Sequence, residues 1–361
     1  MRRLLCIATA GGGQDAIRMR RLTEGLAAEC TYHDVDRKLP RRAAMKQVHR
    51  LLRSAPWDMV YLEGTGIAGG LPLIWEARRR GLRYLVSSGD PVGGFFLVTQ
   101  GRLYGWVFGI YEKLLYRHCV GFIGWTPYLT GVALHLGAPR GITIEGAVDL
   151  SLFTVPTAQQ REEAKRALDI PQQHLVCGVV GSLNWTERQR YCYGLELIET
   201  LKLLQRDDVT MLIVGDGSGL ERLKAAVPAP LRERARFTGR LPRERVPCAL
   251  HAMDVGFITQ TLDRLGSFRL TTKLPEYLAS GVAVVMSPIP GYYDYVAPAG
   301  WPLPPYHPAD PELHRRCALW LDALTWEEVR ERAANARPIA LRFDYRTANA
   351  RFRNFVEELL S

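Results

Sequence analysis

Short apolar runs alternate with longer amphipathic stretches along most of this chain, and the alternation starts twice. Amphipathic stretches such as residues 43–53 and 68–80 separate the apolar runs. Alternating strands and helices indicate a parallel sheet that helices cover on both faces. We therefore predict an α/β protein of two doubly wound, Rossmann-like domains. The strands predicted for the first domain are residues 4–10, 31–35, 59–62, 84–87, 121–125 and 142–144, and those for the second are residues 176–180, 210–214, 236–237, 255–258 and 282–286.

The connection between the two domains is predicted at residues 149–160. This stretch contains Pro156 and polar residues and has no periodicity. We predict an N-terminal domain at residues 1–155, a C-terminal domain at 156–338, and a final helix at 339–361 that packs back toward the N-terminal domain. Because ligands of open α/β sheets bind beyond the carboxyl ends of the strands, two such domains predict a central cleft between their sheets.

The chain carries a net charge of +10, and most of the excess lies in its first half. Residues 1–155 hold 20 lysines and arginines against 12 acidic residues. A basic domain attracts anionic lipid head groups, nucleic acid or phosphorylated substrates, although a solvated helix face has the same composition. No motif typical of nucleic-acid recognition accompanies the charge, so we expect no nucleic-acid partner.

The longest apolar region, residues 92–115, is too polar to span a bilayer. Its aromatic residues Trp106, Phe108 and Tyr111 lie beside Arg102 and Lys113, which suggests a surface that rests on an anionic membrane. The alternative is that these aromatic side chains face the core. The seven cysteines form no Cys-x-x-Cys pair and no secretory signal is evident, so we expect a cytoplasmic protein, with peripheral contact at the inner face of the membrane as a further expectation.

Four short motifs follow one another in the second half of the chain. They are GDGSG at residues 215–219, FTGRLP at 237–242, DV at 254–255, and K-x-x-E-Y-x-A-x-G-x-x-V-V at 273–285. In this order and spacing the chain resembles the family 4 glycosyltransferases, which have the GT-B fold, over residues 176–296. Residues 142–153 resemble the interdomain segment of that family, with Glu145 where asparagine is usual.

The resemblance implies a retaining hexosyltransferase. Such an enzyme moves a sugar from a nucleotide-diphosphate sugar, with UDP- and GDP-sugars expected first, to a hydroxyl group on a glycan or lipid-linked acceptor. It implies no cofactor and no divalent cation held by an Asp-x-Asp motif. Two alternatives stay open, a catalytically silent relative that only binds nucleotide, and another reaction on the same fold, such as a nucleotide-sugar epimerase or a phosphorylase.

A diphosphate is bound by backbone N–H groups and by cations. The loop before the fourth motif offers such groups with the hydroxyls of Ser267, Thr271 and Thr272, and Lys273 adds a positive charge. The resemblance implies that Glu276 accepts hydrogen bonds from the ribose hydroxyls, although Lys273 and Glu276 could also be a surface i,i+3 pair. The other donor-site candidates are Gly181, Ser182, Arg188, Arg190, Gly215 and Asp216.

Two positions depart from the family pattern. Phe268 stands where the family has the first glutamate of its Glu-x7-Glu motif, and Tyr193 precedes Gly194 where the family has a lysine that clamps the diphosphate. Arg188 and Arg190 lie in the same stretch as Tyr193, and their guanidinium groups suit phosphate oxygens. These departures favour keeping the catalytically silent alternative open.

The acceptor side is predicted in the first domain. Gly12 and Gly13 belong to a glycine run after the first strand, Glu63 follows the third strand, and Asp90 follows the fourth. We expect Asp90 to contact the acceptor hydroxyl or the donor sugar, which makes Asp90, Lys273 and Glu276 the catalytic candidates. The alternative for Asp90 is that it caps the turn before Pro91. No spacing of histidines predicts a metal site.

Overall fold

The computed structural model describes residues 2–9 and 13–361, and the chain divides into two compact units. The first unit comprises residues 1–147, 268–270 and 345–361, and the second comprises residues 148–267 and 271–344. Each unit contains one six-stranded sheet whose paired strands are all parallel, which confirms the predicted fold class.

The sheet of the first unit has the spatial order β2-β1-β3-β4-β5-β6. The chain therefore leaves β1 toward one edge and then continues on the other side of it, so the order reverses between β1 and β3. Such a switch point is where ligands bind in open α/β sheets. The strands are β1 (Arg2–Ala8), β2 (Ala28–Asp34), β3 (Met59–Glu63), β4 (Tyr84–Ser88), β5 (Gly121–Gly124) and β6 (Gly141–Thr143).

Helices cover both faces of this sheet because the side chains of its buried strands alternate between two cores. In β3, Val60 and Leu62 pack in one core, while Met59 and Tyr61 pack in the other. Local sequence sets the helix ends: Thr126 accepts a hydrogen bond from the Leu129 N–H at one start. The helices are α1 (Gln14–Thr23), α2 (Arg41–Leu52), α3 (Ile67–Arg80), α4 (Val92–Gln100), α5 (Arg102–Arg117) and α6 (Pro127–His135).

The sheet of the second unit has the spatial order β12-β11-β10-β7-β8-β9, which reverses between β7 and β10. Its strands are β7 (Leu175–Val180), β8 (Val209–Val214), β9 (Ala235–Gly239), β10 (Val255–Ile258), β11 (Ala283–Met286) and β12 (Gly300–Pro302). Its helices are α7 (Ala158–Ala167), α8 (Leu195–Leu201), α9 (Leu220–Ala226), α10 (Val246–His251), α11 (Lys273–Ala279), α12 (Pro290–Tyr295), α13 (Pro311–Ala323) and α14 (Trp326–Ala340), and short 3-10 turns lie at residues 229–234, 243–245, 266–268, 297–299 and 341–343.

The unit boundaries differ from those expected from the sequence. The second unit begins at Val148 rather than at residue 156, because the Val148 N–H donates to the Phe343 carbonyl at 2.8 Å and Val148 forms a bridge with Asp344. For the same reason the second unit extends to Asp344 rather than residue 338. The edge strand β12 was also missed, since three residues carry no readable alternation.

The last helix, α15 (Tyr345–Leu360), belongs to the first unit. The Phe352 ring lies 4.9 Å from the Tyr61 ring. The Asn349 side chain donates to the Arg21, Leu22 and Glu24 carbonyls near the end of α1, at 2.7–3.0 Å. These carbonyls have no partner within α1, so α15 completes the hydrogen bonding of that helix end. Among the described residues, no helix is both long and apolar enough to cross a membrane.

Candidate functional site

The second unit brings two glycines into contact at the carboxyl end of its sheet. Gly181 follows β7 and Gly215 follows β8. Gly215 has φ +141°, and a Cβ added to it would stand 1.9 Å from the Gly181 carbonyl oxygen. Any side chain at Gly215 would force the two backbone segments apart, so the glycine is a requirement of the packing. At this contact, beside the β7–β10 switch point, no side chain of either residue covers the backbone. We call the contact between Gly181 and Gly215 the Gly181 corner.

Lys273 lies directly against this corner. Its side chain extends from the first turn of α11 and is buried. A Cβ on Gly181 would stand 3.2 Å from the Lys273 Nζ atom, and the same atom lies 3.4 Å from the centroid of the Tyr193 ring. A cation over an aromatic face is stabilised by the ring quadrupole. The structure therefore brings three sequence candidates together, Gly181, Gly215 and Lys273.

Glu276 lies one turn further along α11 and is partly exposed. Burial raises the pKa of its carboxyl group to about 7, although the positive charges of Arg243 and Lys273 act in the opposite direction. The carboxyl group is thus part protonated and part charged near neutral pH. Lys273 is buried and Glu276 is only partly exposed, which argues against the plain surface pair that the sequence left open.

Two buried residues of the second unit bind at or next to Tyr193 and were missed by the sequence analysis. The Gln260 Nε2 atom donates to the Tyr193 hydroxyl at 2.9 Å. The Glu196 carboxylate is fully buried, where it accepts from the Gly194 N–H at 3.0 Å and from the Thr259 hydroxyl at 2.6 Å. Burial raises the pKa of Glu196. A glutamate inside the apolar helix α8 was the available sequence signal.

Four other donor-site candidates lie on the surface of the second unit. Ser182, Arg188, Arg190 and Asp216 are exposed. The Asp216 Oδ1 atom accepts from the Gly217 N–H at 2.7 Å, and the Ser182 hydroxyl accepts from the Asn184 side chain at 2.8 Å. No hydrogen bond or ion pair joins Arg188 or Arg190 to the Gly181 corner among the described residues. Their role in diphosphate binding stays a prediction.

The loop before α11 uses part of its backbone internally. The Asp263 Oδ1 atom accepts from the Leu265 and Gly266 N–H groups at 2.8 and 2.9 Å, and the Ser267 N–H donates to the Asp263 carbonyl at 3.1 Å. These N–H groups are therefore occupied within the loop. A Cβ on Gly266 would stand 2.0 Å from the Thr261 carbonyl oxygen, so this glycine serves the folding of the loop rather than the approach of a ligand.

The other two hydroxyl residues of that loop are placed at the start of α11. Thr272 is the N-cap residue, but its side chain makes no capping hydrogen bond. The Thr271 hydroxyl is buried and has no hydrogen-bond partner among the described residues. Both hydroxyls thus retain hydrogen-bonding capacity next to Lys273, and their role at a donor site stays a prediction.

In the first unit, the expected position of Glu63 was wrong. Glu63 does not follow β3: it is the last residue of that strand and is 1% exposed. Its carboxylate accepts hydrogen bonds from the Tyr61 hydroxyl, from the Ser87 hydroxyl at 3.0 Å and from the Trp125 ring N–H at 3.3 Å. Burial raises its pKa. An acceptor in solvent cannot reach this carboxylate directly.

A buried arginine accompanies Glu63. The Arg18 Nε atom lies 3.6 Å from the Glu63 carboxylate, and its terminal nitrogens donate to the Ile144 and Glu145 carbonyls at 2.6 and 2.8 Å. The guanidinium group also lies 4.6 Å from the centroid of the Trp125 ring. Arg18 therefore ties α1 to the segment after β6, and it compensates the charge that burial of Glu63 brings into the core.

Asp15, in the first turn of α1, was not among the candidates. Burial raises the pKa of its carboxyl group to about 7, and the neighbouring carboxylates of Glu63 and Asp90 raise it further, against the charges of Arg37 and Arg18. An acid group with a pKa near neutrality at a sheet edge is typical of functional sites. Its signal was an acidic residue two positions after the glycine run.

Asp90 is already engaged within the first unit. Its carboxylate accepts from the Arg269 Nε and Nη2 atoms at 2.6 and 3.3 Å, and residues 268–270 belong to this unit. The Ser88 hydroxyl donates to the Asp90 carbonyl at 2.8 Å, so the turn before Pro91 is also closed locally. A contact between Asp90 and an acceptor hydroxyl would therefore compete with an ion pair.

The glycine run is described only in part. Gly12 lies outside the described residues. Gly13 is the N-cap residue of α1, and its carbonyl accepts from the Ala16 and Ile17 N–H groups at 3.1 and 3.3 Å. Within residues 2–9 and 13–361, no group of three or more His, Cys, Asp or Glu side chains could hold a metal ion.

Comparison with known proteins adds sequence relatives to this geometry. Residues 174–311 match the family model described as "Glycosyl transferases group 1". A 2-deoxystreptamine glucosyltransferase from Streptomyces kanamyceticus is 29% identical over 266 residues, which cover 70% of this chain. The alignment spans 65% of that relative's length, just under two thirds.

Solved structures match the chain over almost its whole length. HepE from Anabaena, solved with UDP and glucose, has a TM-score of 0.75 at 15% identity and covers 99% of this chain and 100% of its own. Sucrose-phosphate synthase from Thermosynechococcus elongatus has a TM-score of 0.74 at 16% identity, with 99% of both chains covered. At 15–16% identity, these matches show a shared fold only.

The architecture and the matches to solved structures define the class of the fold, which is GT-B, and residues 174–311 are similar to a glycosyltransferase family model. The predicted GT-B fold is thereby confirmed. The residues that match the glycosyl transferases group 1 model include the Gly181 corner, Lys273 and Glu276.

Proposed function

We propose that the protein is a retaining glycosyltransferase of family 4, which transfers a hexosyl group from a nucleotide-diphosphate sugar to a hydroxyl group of a glycan or lipid-linked acceptor. The observation that carries the proposal is the Lys273 ammonium group against the Gly181 corner. A Cβ at Gly181 would stand 3.2 Å from the Lys273 Nζ atom, so only glycine leaves that space open for phosphate oxygens.

The proposed chemistry needs little from the protein beyond charge and position. As the bond between the sugar C1 atom and the diphosphate breaks, negative charge grows on the leaving phosphate, and Lys273 stabilises it there. The acceptor hydroxyl attacks from the face that the diphosphate leaves, which retains the anomeric configuration. A leaving phosphate oxygen takes the acceptor proton, so no separate base is needed. Glu276 orients the donor by accepting hydrogen bonds from the ribose hydroxyls.

Two lines of support bear on the donor. HepE, a protein of the same fold, was solved with UDP-glucose as well as with UDP. The curated relative is a glucosyltransferase by name. We propose a UDP-sugar as the donor, with a GDP-sugar as the alternative. Thr271 and Thr272 supply hydroxyl donors beside Lys273, and Arg188 and Arg190 supply further positive charge for the diphosphate.

The acceptor has two candidates. A glycan or lipid-linked acceptor fits the basic N-terminal half. An amine-bearing cyclitol is the second candidate, since the curated relative acts on 2-deoxystreptamine by name. Transfer to a soluble aminocyclitol, but not to a lipid extract, would decide for the second candidate.

The test is release of nucleotide from a panel of UDP-, GDP-, ADP- and TDP-sugars, with and without glycan and lipid extracts. Glu276→Ala is compared with Glu221→Ala. Glu221 is an exposed glutamate in the same unit that pairs with Lys224 at the same i,i+3 spacing, at 2.8 Å. We expect turnover of one donor, loss of it in Glu276→Ala and wild-type turnover in Glu221→Ala.

Other outcomes separate the alternatives. An epimerised donor without transfer supports the epimerase, and cleavage that requires inorganic phosphate supports a phosphorylase. Thermal stabilisation by one nucleotide without any turnover supports the catalytically silent relative. Neither turnover nor stabilisation by any nucleotide contradicts the proposal. The anomeric configuration of the product, read by NMR, tests retention separately.

A further inference from the structure

Helix α5 presents large apolar side chains to solvent. Leu103 is 70% exposed and Trp106 is 66% exposed, and Tyr104, Val107 and Ile110 are also exposed. Leu103, Val107 and Ile110 are spaced i, i+4 and i+7, so they lie on one side of the helix. We call the five residues 103, 104, 106, 107 and 110 the outer face of α5. A surface helix of a soluble domain normally carries polar residues there.

The fold does not need this outer face, because α5 has a second apolar face that packs inward. Tyr111, Leu115 and Tyr116 are buried. The Phe108 ring stacks on Phe96 of α4 with 3.5 Å between the ring centroids. Of the three aromatic residues that the sequence suggested for a membrane surface, Trp106 is therefore exposed while Tyr111 belongs to the core.

The adjacent helix α3 continues the pattern. Its Gly70 lies so close to α5 that a Cβ would stand 2.0 Å from the Tyr111 hydroxyl oxygen. The next residue, Leu71, and Trp75 one turn later are both exposed. Two neighbouring helices of the first unit thus each carry an exposed tryptophan with exposed aliphatic side chains, more than the single exposed apolar residues that are normal on a protein surface.

The exposed charged side chains of α3 and α5 are positive. The exposed charged residues of α3 and α5 include Arg78, Arg79, Arg102, Lys113 and Arg117. Residues 64–117 contain three acidic residues. Two of them, Glu76 and Glu112, are buried, and the third, Asp90, pairs with Arg269. The Glu112 carboxylate accepts from the Val92 and Gly93 N–H groups at 2.9 Å, which fixes the start of α4. Two of the acidic side chains are therefore buried and the third is neutralised by an ion pair, which leaves the exposed charge of these helices positive.

We propose that the outer face of α5, with Leu71 and Trp75 of α3, docks on an anionic lipid bilayer. Tryptophan and tyrosine prefer the membrane interface, aliphatic side chains enter the acyl region, and arginine and lysine pair with lipid phosphates. A second copy of the chain is a poorer occupant, because a symmetric contact would place these cations against themselves. The proposal deepens the proposed function by assigning the acceptor to a membrane-borne, lipid-linked glycan.

The test is sedimentation of the full chain with vesicles of phosphatidylcholine alone and of phosphatidylcholine mixed with phosphatidylglycerol. We expect binding to the anionic vesicles that weakens with added salt. The variant Leu103→Glu/Trp106→Glu should lose affinity for the anionic vesicles by about tenfold or more, since two large apolar contacts are lost. Its matched control is Leu319→Glu/Tyr293→Glu, two side chains of the second unit that are 57% and 65% exposed. The control should bind like the wild type.

A second pair of variants isolates the charge. Arg102→Glu/Lys113→Glu should lose most of the preference for phosphatidylglycerol, whereas Arg232→Glu/Arg330→Glu, exposed cations of the second unit with the same charge change, should keep it. Equal binding of all variants to both vesicles overturns the proposal. A wild-type dimer that becomes monomeric in Leu103→Glu/Trp106→Glu would also overturn the proposal. Salt-sensitive binding of RNA or DNA without binding of vesicles would overturn it as well.

The outcome is separable from that of the proposed function. Vesicle binding without turnover of any nucleotide sugar leaves the docking face in place and contradicts the glycosyltransferase proposal. Transfer to a soluble acceptor without any vesicle binding supports the glycosyltransferase proposal and contradicts the docking face. With both present, Leu103→Glu/Trp106→Glu should slow transfer to an acceptor in vesicles and leave hydrolysis of the free donor unchanged.

Discussion

The Lys273 ammonium group lies 3.4 Å from the centroid of the Tyr193 ring. The resemblance to family 4 led us to expect a diphosphate-clamping lysine at position 193, and its absence favoured the catalytically silent alternative. The geometry offers another explanation: the cation is supplied by α11, and residue 193 supplies the surface that holds it. The Gln260 side chain fixes that surface by donating to the Tyr193 hydroxyl at 2.9 Å.

If Tyr193 holds Lys273 in place, its ring matters more than its hydroxyl. Tyr193→Leu should weaken binding of the nucleotide sugar by about threefold to thirtyfold, because a cation–π contact contributes ~0.5–2 kcal/mol. Tyr193→Phe keeps the ring and should stay within about threefold of the wild type. Isothermal titration calorimetry with the donor identified by the panel measures both. Equal affinities of the leucine variant and the wild type would contradict this role.

Gly215 should be among the most sensitive positions of the second unit. In Gly215→Ala the new Cβ would stand 1.9 Å from the Gly181 carbonyl oxygen. We expect a loss of about 3 kcal/mol or more, and a fall in Tm of roughly 6–12 °C. Gly131→Ala is the matched control: it lies inside α6 with open space around it, so the extra methyl should leave the Tm unchanged or raise it slightly. Differential scanning calorimetry measures both.

The Glu276 carboxyl group predicts how donor affinity depends on pH. Its pKa is raised to about 7 in the free protein, and only the carboxylate can accept two ribose hydroxyls. Binding favours the charged form, so affinity should fall about tenfold as the pH drops from about 8 to about 6. An intact nucleotide sugar is the proper probe, because the terminal phosphate of a free nucleoside diphosphate titrates in the same range.

Glu276→Gln removes this titration. The variant should bind the donor more weakly than the wild type at about pH 8, and its affinity should be nearly flat across the range. A wild-type slope that survives in Glu276→Gln would assign the pH dependence to another group. Asp15 of the first unit is then the one to substitute, since its pKa is also raised to about 7.

The sequence was most informative where periodicity and glycines act together. Alternation predicted the two doubly wound sheets, and the strand ends at Gly181 and Gly215 were located correctly, because a glycine after a buried strand has few other reasons to be there. Lys273 was also a candidate from the sequence, and the structure places it against the Gly181 corner. What the sequence could not show is that its ammonium group lies on Tyr193, since that contact joins residues 80 positions apart.

Buried polar residues were the main failure. Glu63 was predicted to follow the third strand, whereas it is the buried last residue of β3. Its burial depends on the Tyr61, Ser87 and Trp125 side chains and on Arg18, which come from four separate segments. Asp15 was missed for a related reason: its environment depends on Glu63 and Asp90, which only the parallel arrangement of β1, β3 and β4 brings together.

Arg18 should therefore be essential for the stability of the first unit. In Arg18→Met, the Glu63 carboxylate is left buried without its cation, and the Ile144 and Glu145 carbonyls lose their donors. We expect a loss of about 3–5 kcal/mol in urea unfolding. Arg20→Met is the control on the same helix, since the Arg20–Asp34 pair is half exposed, at 2.9 Å, and is worth less than about 1 kcal/mol.

The pH dependence of that loss identifies its cause. The pKa of Glu63 is raised in the folded protein, so its burial favours the folded state below the ordinary pKa of a glutamate and disfavours it as the pH rises through the raised value. The difference between Arg18→Met and the wild type should therefore grow with increasing pH. In Arg18→Met/Glu63→Gln, which has no charge to bury, part of the stability should return and the difference should no longer depend on pH. A loss in Arg18→Met that is the same at all pH values would assign the effect to the two carbonyls rather than to Glu63.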